Sequence, residues 1–395
     1  MHTQQHFTTT RQHCGDGPVT HTNGRNPLVS TLRVLFENLE DGALLERLTA
    51  PRRGRPSHKP QVMWRSLIVT YALGLPSINE MIRQLENNPA LAEVCGIRHL
   101  EDIPSKAAYS RFVKKLTEHR HLVEQCLVQV TNVLKSLLPG FAETVAVDAT
   151  DMKAWANGMR QETDPDAGTG AKHKSSRRVY WYGYKVHLGV CADTELPIWV
   201  HVTSANVYDG HHLSSVLESA SEKYDWFKPR YVLADKGYDA KACFSFVQDM
   251  GAEPVIDMRK RPGVNPGQAR SCEAKPVLTL WGVRYQCDRK PYDANCPEFE
   301  RCPLLDPYVN TERRKTPYMA YGSAEWRAVY NKRVSVERVF SATKGFYRLD
   351  NLTHRGLPKV TLHCTLSMLV MQAKALGQAR QGNFREMRRC TRKVA

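Results

Sequence analysis

The residues best suited to chemistry in this chain are Tyr330, Arg333, Glu337 and Lys344, which lie in one stretch near its C-terminal end. An α-helix turns by about 100° per residue, so the offsets of 3, 7 and 14 residues bring the four side chains within roughly 60° of one another. A carboxylate flanked by two cations and a phenol suits a metal site that also binds phosphate. This face therefore predicts phosphate chemistry, provided that other carboxylates join Glu337.

Two aspartates elsewhere in the chain can supply those carboxylates. Asp148 ends the strand-like run 145–148, and Asp235 ends the run 231–235. Active sites of α/β folds lie at the carboxyl ends of strands. Three carboxylates without a histidine favour Mg²⁺ or Mn²⁺ over zinc. Two such ions can activate a water or a 3′-hydroxyl and stabilise the leaving oxygen in phosphodiester displacement.

Each aspartate, taken alone, is more often a turn or cap residue, and only the combination with the Glu337 face supports a site. Asp151 is an alternative ligand, although the strand pattern favours Asp148. Three further carboxylates, at Asp164, Asp166 and Asp209, are interpreted as loop caps or supporting groups.

Hydrophobic periodicity divides the chain into a helical part and a mixed part. Apolar residues recur at helical spacing between residues 28 and 140. Short helices with basic faces suit a helix-turn-helix-like DNA-binding module, and a packing or dimerisation domain fits the same pattern. The expected helices are Leu28–Leu48, Gln61–Leu73, Ile78–Leu85, Lys106–Leu116 and His121–Leu138.

From residue 143 onwards the pattern alternates between strands and helices, which predicts an α/β fold. The polar, glycine-containing region 164–178 is expected to be a mobile loop. Apolar residues beside Glu337 should hold the late helix against the core. The expected strands are Thr144–Asp148, Tyr182–Cys191, Pro197–Thr203, Tyr231–Ala234 and Pro254–Ile256, and the helices among and after them are His212–Lys223, Ala240–Met250 and Pro358–Leu376.

The chain resembles the DDE transposases of bacterial insertion sequences. The pattern Tyr-x2-Arg-x3-Glu-x6-Lys is met by Tyr330, Arg333, Glu337 and Lys344. Further motif positions agree: Asp148 and Thr150 as Asp-x-Thr, Asp235, Gly237 and Tyr238 as Asp-x-Gly-Tyr, and the runs 163–167, 183–187 and 205–209. The likeness spans roughly residues 50–375. It implies a ribonuclease-H-like mixed sheet flanked by helices, interrupted by an insertion and preceded by an all-α N-terminal domain.

The resemblance also implies roles for these residues. Asp148, Asp235 and Glu337 would hold two divalent ions, Mg²⁺ or Mn²⁺, while Tyr330, Arg333 and Lys344 would contact DNA phosphates at the transposon end. The reaction would be nicking at the terminal inverted repeats, followed by attack of the 3′-hydroxyl on double-stranded target DNA. Synapsis of two ends would make the protein a homodimer on DNA. The protein would act in the bacterial cytoplasm, in association with the nucleoid.

The same comparison divides the chain into six parts. These are a flexible arm with the first helix (1–50), a helical DNA-binding domain (51–140), the first part of the catalytic core (141–258), a cysteine-containing insertion (259–323), the C-terminal core helices (324–378) and a basic tail (379–395).

Composition agrees with a polyanionic partner. The 395 residues carry a formal net charge of +16, which favours nucleic acid over a neutral ligand, although a basic but ordinary enzyme fits too. Residues 1–27 are polar, without the apolar core of a secretory signal, and no long apolar run predicts a membrane span. The 11 cysteines are therefore expected to be reduced in a cytosolic protein.

Two smaller features remain open at this stage. Cys272, Cys287, Cys296 and Cys302 could bind zinc, but their spacing departs from paired C-x2-C knuckles, and ordinary reduced cysteines fit as well. The aromatic run 180–182, followed by Lys185 and His187, could stack on unpaired bases or contact phosphate. A half-buried strand explains that run equally well.

Two other functions fit the same residues. One is a metal-dependent nuclease of the same fold that does not transfer strands. The other is a non-catalytic DNA-binding protein, and the intact set of Asp148, Asp235 and Glu337 argues against it.

Overall fold

The computed structural model describes residues 26–49, 58–156, 158, 161–174, 177–259, 275–279, 282–286 and 323–388. The four cysteines of the predicted zinc site, Cys272, Cys287, Cys296 and Cys302, lie outside these residues. Within this part of the chain, no helix has the length and hydrophobicity needed to span a bilayer.

The N-terminal region is helical, as the periodicity predicts. The region 28–48 contains two helices rather than one, because the chain turns at Asn38–Asp41, where Glu40 adopts a positive φ of 51°. Ser77 and Ser105 each cap a later helix by accepting a backbone hydrogen bond. The helices are α1 (Pro27–Glu37), α2 (Gly42–Thr49), α3 (Pro60–Ala72), α4 (Ile78–Asn87), α5 (Pro89–Val94), α6 (Lys106–Glu118) and α7 (Arg120–Leu137).

A six-stranded mixed sheet follows, with two further strands in a separate hairpin. The strand order is β2-β3-β1-β5-β6, and β4 also pairs with β3. Strand β1 runs antiparallel to β3 and parallel to β5, which itself runs parallel to β6. The strands are β1 (Thr144–Lys153), β2 (Gly168–Lys174), β3 (Arg177–Cys191), β4 (Leu196–Ser204), β5 (Tyr231–Ala234), β6 (Glu253–Ile256), β7 (Lys275–Thr279) and β8 (Gly282–Gln286).

Five helices complete the described fold. They are α8 (Leu213–Lys223), α9 (Lys241–Asp249), α10 (Ala324–Tyr330), α11 (Val334–Phe346) and α12 (Leu357–Arg380). Four antiparallel strands (β1–β4) joined to two parallel ones (β5 and β6), with helices around them and a helical region in front, confirm the predicted ribonuclease-H-like class. The boundaries of the six predicted parts stay predictions.

Two local expectations were wrong. Strand β1 continues to Lys153, so Asp148 does not end it. Strand β3 pairs with β1 as far as Lys153, whereas β5 pairs with β1 only as far as Ala146. The polar region 164–178 does not form only a loop, since its residues 168–174 pair with Arg177–Gly183 of β3. Backbone pairing in this hairpin outweighs the polar composition that suggested a loop.

Helix α12 joins the helical region to the sheet. Its Gln372 accepts a hydrogen bond from Thr131 of α7 at 2.7 Å and donates one to the carbonyl oxygen of Pro197 in β4. At its N-terminal end, the ring of His363 is hydrogen-bonded to the Tyr71 hydroxyl of α3 at 2.9 Å. Apart from a few polar positions, this helix is apolar and buried on almost every face, which explains why its sequence shows no single stripe.

Acid is expected to destabilise this core through the buried His187 and His363 and the half-buried His354. Burial lowers the pKa of His187 to about 3, of His354 to about 4 and of His363 to about 3. An unfolded histidine titrates near about 6.5, so below that pH the unfolded chain binds protons that the folded chain excludes. The free energy of unfolding should fall from about pH 6.5 towards about pH 4, by at most about 1.4 kcal/mol per pH unit for each histidine. Urea unfolding across this range measures the slope.

The variant His363→Gln should show a shallower dependence on pH, because it removes one of these proton-binding groups from the unfolded chain. The exposed His121 provides the matched control, and His121→Gln should keep the slope of the wild type. Equal slopes in both variants would contradict this account.

Candidate active site

The register of two parallel strands places Asp148 beside Asp235. Ala146 of β1 pairs with Leu233 of β5, and each aspartate follows its paired residue by two positions. Side chains two residues apart point to the same face of a sheet, and neighbouring strands lie about 4.8 Å apart. The two carboxylates therefore lie side by side on one face, where β5 ends and β1 continues.

The chain turns sharply after Asp235. The Oδ1 atom of this aspartate accepts a hydrogen bond of 2.7 Å from the backbone N–H of Gly237, which starts a short 3₁₀ helix at Lys236–Tyr238. A Cβ atom at position 237 would lie 2.7 Å from that same oxygen, so a larger residue there would displace the carboxylate from this hydrogen bond. The spacing Asp-x-Gly in the sequence thus fixes one carboxylate oxygen and leaves the other available.

The surroundings of Asp148 disfavour the ionised form of its carboxylate. Burial raises the pKa of Asp148 to about 7, and the charges of Asp235 and Asp209 act in the same direction. A hydrogen bond of 2.7 Å from the N–H of Ala149, together with the guanidinium of Arg333, partly offsets these effects. The ionised form of Asp148 remains disfavoured even beside Arg333, and a bound cation would stabilise it and relieve the repulsion between neighbouring carboxylates.

Arg333 lies between two of the predicted metal ligands. Its Nη2 atom donates to Oε1 of Glu337 at 2.6 Å, and its Nη1 atom lies 3.6 Å from Oδ2 of Asp148. Arg333 belongs to a 3₁₀ turn, Asn331–Arg333, that packs against β1 and β5, while α11 packs against β1 and β3. The side chain of Glu337 is 52% exposed, so it can turn away from Arg333 without opening the core.

The four residues predicted to share one helical face do lie towards the sheet, but not on one continuous α-helix. The 3₁₀ turn separates α10, which ends at Tyr330, from α11, which carries Glu337 and Lys344. Val336, Val339, Phe340 and Thr343 are buried beneath Glu337, as the apolar spacing predicts. The helical path therefore changes pitch just before the carboxylate.

Tyr330 lies near the carboxylates, and an aromatic contact orients its ring. Its ring stacks on Trp326 with centroids 4.5 Å apart, and the Arg333 guanidinium lies 5.8 Å from the centre of the Tyr330 ring. Burial raises the pKa of Tyr330, as do the charges of Asp257 and Asp235. The phenol therefore stays protonated and can donate a hydrogen bond.

Lys344 of α11 contacts β1 further along that strand. Its ammonium donates to the carbonyl oxygen of Asp151 at 2.9 Å and lies 3.2 Å from Oδ1 of Asp350. The carboxylate of Asp151 is itself paired with Lys172 of β2 at 2.7 Å. This pairing directs Asp151 towards the β2–β3 hairpin, which weakens it as the alternative metal ligand.

Two groups that the sequence did not assign to the site, Asp209 and Tyr238, interact electrostatically with Asp148. Asp209 forms an ion pair of 2.8 Å with Lys185 of β3, and its charge acts on Asp148. The Tyr238 side chain is 1% exposed, and within the described residues its hydroxyl has no hydrogen-bond partner. Burial raises the pKa of Tyr238, and so do the charges of Asp148, Asp209 and Asp235. The Asp-x-Gly-Tyr motif signalled this tyrosine, whereas its closeness to Asp148 required the fold.

The arrangement fits a divalent cation through two carboxylates rather than three. Among the residues that the structure describes, no group of three or more His, Cys, Asp or Glu side chains converges as a metal site requires. The aspartate pair has hard oxygen donors and excess negative charge, both of which suit Mg²⁺ or Mn²⁺. In this structure the Glu337 carboxylate is hydrogen-bonded to Arg333, and it would have to release Arg333 to act as a third ligand.

Comparison with known proteins gives matches over most of the chain. The family described as "Transposase DDE domain" matches residues 139–372, and the one described as "Transposase domain (DUF772)" matches residues 21–115. No curated protein matches the chain in sequence. Among solved structures it is similar to the cryo-EM structure of a piggyBac transposase synaptic complex with hairpin DNA. That match has 9% identity and a TM-score of 0.41, and it covers 93% of this chain and 80% of the other.

Proposed function

This chain belongs to the DDE transposase family, and we propose that it cleaves DNA at the terminal inverted repeats of an insertion sequence and joins the 3′ ends to target DNA. The observation that supports this most strongly is the position of Asp148 and Asp235, each two residues beyond the last register pair of β1 and β5, Ala146 and Leu233. Two half-buried carboxylates on neighbouring strands are costly in a folded protein, and a metal-dependent reaction gives them a purpose.

Asp148 and Asp235 are proposed to hold Mg²⁺ or Mn²⁺, with Glu337 as the third carboxylate and two ions in the complete site. When bound, such ions lower the pKa of a coordinated water or hydroxyl and neutralise charge on the leaving oxygen. The protein positions these groups through rigid elements, since Asp148 lies within β1 and Asp235 is fixed by its hydrogen bond to Gly237.

Arg333, Lys344 and Tyr330 are proposed to bind the phosphates that flank the cleaved bond. The planar guanidinium can form two parallel hydrogen bonds with a phosphate, and the ammonium acts as a point charge. When a phosphate takes the place of Glu337 beside Arg333, the carboxylate becomes free to turn towards Asp148. DNA binding and completion of the carboxylate set are therefore coupled through one side chain.

The remaining parts of the proposal concern partners and setting. The net charge of +16 supports a double-stranded DNA partner, including both element ends and target. Two ends must be held together during transposition, which supports a homodimer on DNA. We place the protein in the bacterial cytoplasm, associated with the nucleoid, and assign end recognition to the helical region 51–140.

The experiment uses a linear duplex that carries the inverted repeat flanking the gene, together with a second, unrelated duplex as target. With Mg²⁺ or Mn²⁺, we expect nicks at the repeat terminus and covalent products that join this terminus to the second duplex. Chelation of the metal should remove both products. Cleavage without joining would instead identify a nuclease, and binding without cleavage under any metal condition would exclude the proposed function.

A further inference from the structure

The β2–β3 hairpin extends beyond the main sheet as a two-stranded ribbon. The last residue of β1, Lys153, pairs with Gly183 of β3, and the last residue of β4, Ser204, pairs with Tyr184. From Tyr182 outwards, β3 therefore pairs with β2 alone. We call the segments 168–174 and 177–182 the ribbon.

The surface of the ribbon is exposed, basic and aromatic. Residues 177–180 are exposed in succession, so both faces of β3 meet solvent there. Tyr180 is 61% exposed and lies beneath the Arg178 guanidinium, which is 5.5 Å from the centre of its ring. Residues 168–181 contain 4 Lys or Arg residues and no Asp or Glu.

Such a ribbon is expected to be only marginally stable unless a partner binds it. An isolated two-stranded hairpin is marginally stable in water, and β2 is an edge strand of the sheet. A second copy of this chain would bring the same positive charge to the same surface. Duplex DNA carries the opposite charge, and its major groove admits a two-stranded β-ribbon.

The ribbon is also joined to the candidate active site. Lys172, which pairs with Val179 towards the outer end of the ribbon, forms an ion pair of 2.7 Å with the carboxylate of Asp151, so the ribbon curves back towards β1. The carbonyl oxygen of the same residue accepts the hydrogen bond from Lys344. One residue of β1 therefore connects the ribbon to a side chain that is proposed to hold the DNA end.

We infer that the ribbon binds duplex DNA in the major groove, through Arg177, Arg178 and Tyr180, on the arm that leads away from the cleaved bond. This inference rests on the proposed function, because the cleaved bond sets the origin of the distance. Asp148 pairs with Leu188, which lies eight residues from Tyr180 along β3. At about 3.3 Å per residue the separation is at most about 26 Å, or at most about eight base pairs of duplex at about 3.4 Å each, since the ribbon curves back towards β1.

The test is hydroxyl-radical footprinting on a duplex that carries the terminal inverted repeat and its flanking DNA. The wild-type protein should protect the cleaved bond and a second, separate segment centred no more than about eight base pairs away. The double variant Arg177→Ala/Arg178→Ala should lose the second protection and keep the first. Tyr180→Ala should weaken the second protection in the same place.

The matched control removes two positive charges elsewhere. Lys228 and Arg230 are exposed and precede β5, at the end of that strand opposite Asp235. Lys228→Ala/Arg230→Ala should retain both protected segments. Each lost phosphate contact lowers the slope of log affinity against log salt by about 0.9, so the ribbon variant should lose about 1.8 and the control should lose nothing.

Three results would overturn the inference. One is an unchanged second footprint in the ribbon variant, and another is its equal loss in the control. A third is a change of oligomeric state without a change of footprint, which would assign the ribbon to contact between copies. If the wild type neither binds nor cuts the repeat duplex, the proposed function fails first. If it cuts normally but lacks the second protection, only this inference fails.

Discussion

Replacing Asp148 with asparagine is expected to lower the rate of DNA-end cleavage by about 10³-fold or more, while binding of the DNA end persists. Asparagine keeps the shape of the side chain and removes the charge that would hold a divalent ion beside Asp235. Loss of an ion that contributes several kcal/mol of charge stabilisation corresponds to a rate change of this size. Cleavage of the inverted-repeat duplex and a gel-shift assay on the same duplex measure the two properties.

The same variant should not lose stability when metal is absent. Burial and the neighbouring charges of Asp235 and Asp209 raise the pKa of Asp148 to about 7, so the ionised carboxylate is unfavourable in the folded chain. Asparagine removes that repulsion, and thermal unfolding in chelating buffer should occur at the same or a higher temperature. Added Mg²⁺ should stabilise the wild type by mass action and leave the variant unchanged.

Asp151 supplies the control for this prediction. It lies three residues further along the same strand, and its carboxylate is paired with Lys172. Asp151→Asn should retain cleavage within about an order of magnitude, since surface ion pairs contribute little. A collapse of activity in Asp151→Asn together with an active Asp148→Asn would mean that the metal ligands were assigned to the wrong aspartate.

The sequence was sufficient to predict the strand that leads to Asp235 and the class of the fold, for physical reasons. A short alternating run that ends in Asp-x-Gly favours both a strand and the turn after it, because the missing Cβ of glycine leaves room for the carboxylate that caps the turn. The local reason for proposing Asp148 as a ligand was wrong, since it does not end its strand. Its neighbourhood depends on where β5 stops pairing with β1, which is a property of tertiary register.

Contacts between residues that are far apart in the chain could not be derived from the sequence alone. The spacing of four residues between Arg333 and Glu337 brings them close together, and the structure joins them at 2.6 Å, although Arg333 lies in the 3₁₀ turn before α11. The additional contact of Arg333 with Asp148 joins residues far apart in sequence and needs α11 to dock on the sheet. Strand β2 was missed because its polar residues indicated a loop, whereas pairing with β3 gives it a strand conformation.

Replacing Arg333 with alanine is expected to separate DNA binding from metal binding. Loss of a charge-assisted contact of about 1.5–3 kcal/mol should weaken binding of the DNA end by about 10- to 100-fold. Arg333 also competes with a metal ion for Glu337 and Asp148, so its removal should raise the affinity for Mg²⁺ in the absence of DNA. Calorimetric titration of Mg²⁺ and a gel-shift assay measure these two opposite changes.

Glu337→Gln should show the reverse pattern, with weaker metal binding and nearly intact DNA-end binding. Arg338 provides the matched control on the same helix, because its guanidinium pairs with Glu195 at 2.6 Å and not with the site carboxylates. Arg338→Ala should therefore change neither property. If Arg333→Ala weakened Mg²⁺ binding as much as Glu337→Gln does, Arg333 would support the carboxylates rather than compete with metal for them. The exchange of Glu337 between Arg333 and a metal ion would then have to be abandoned.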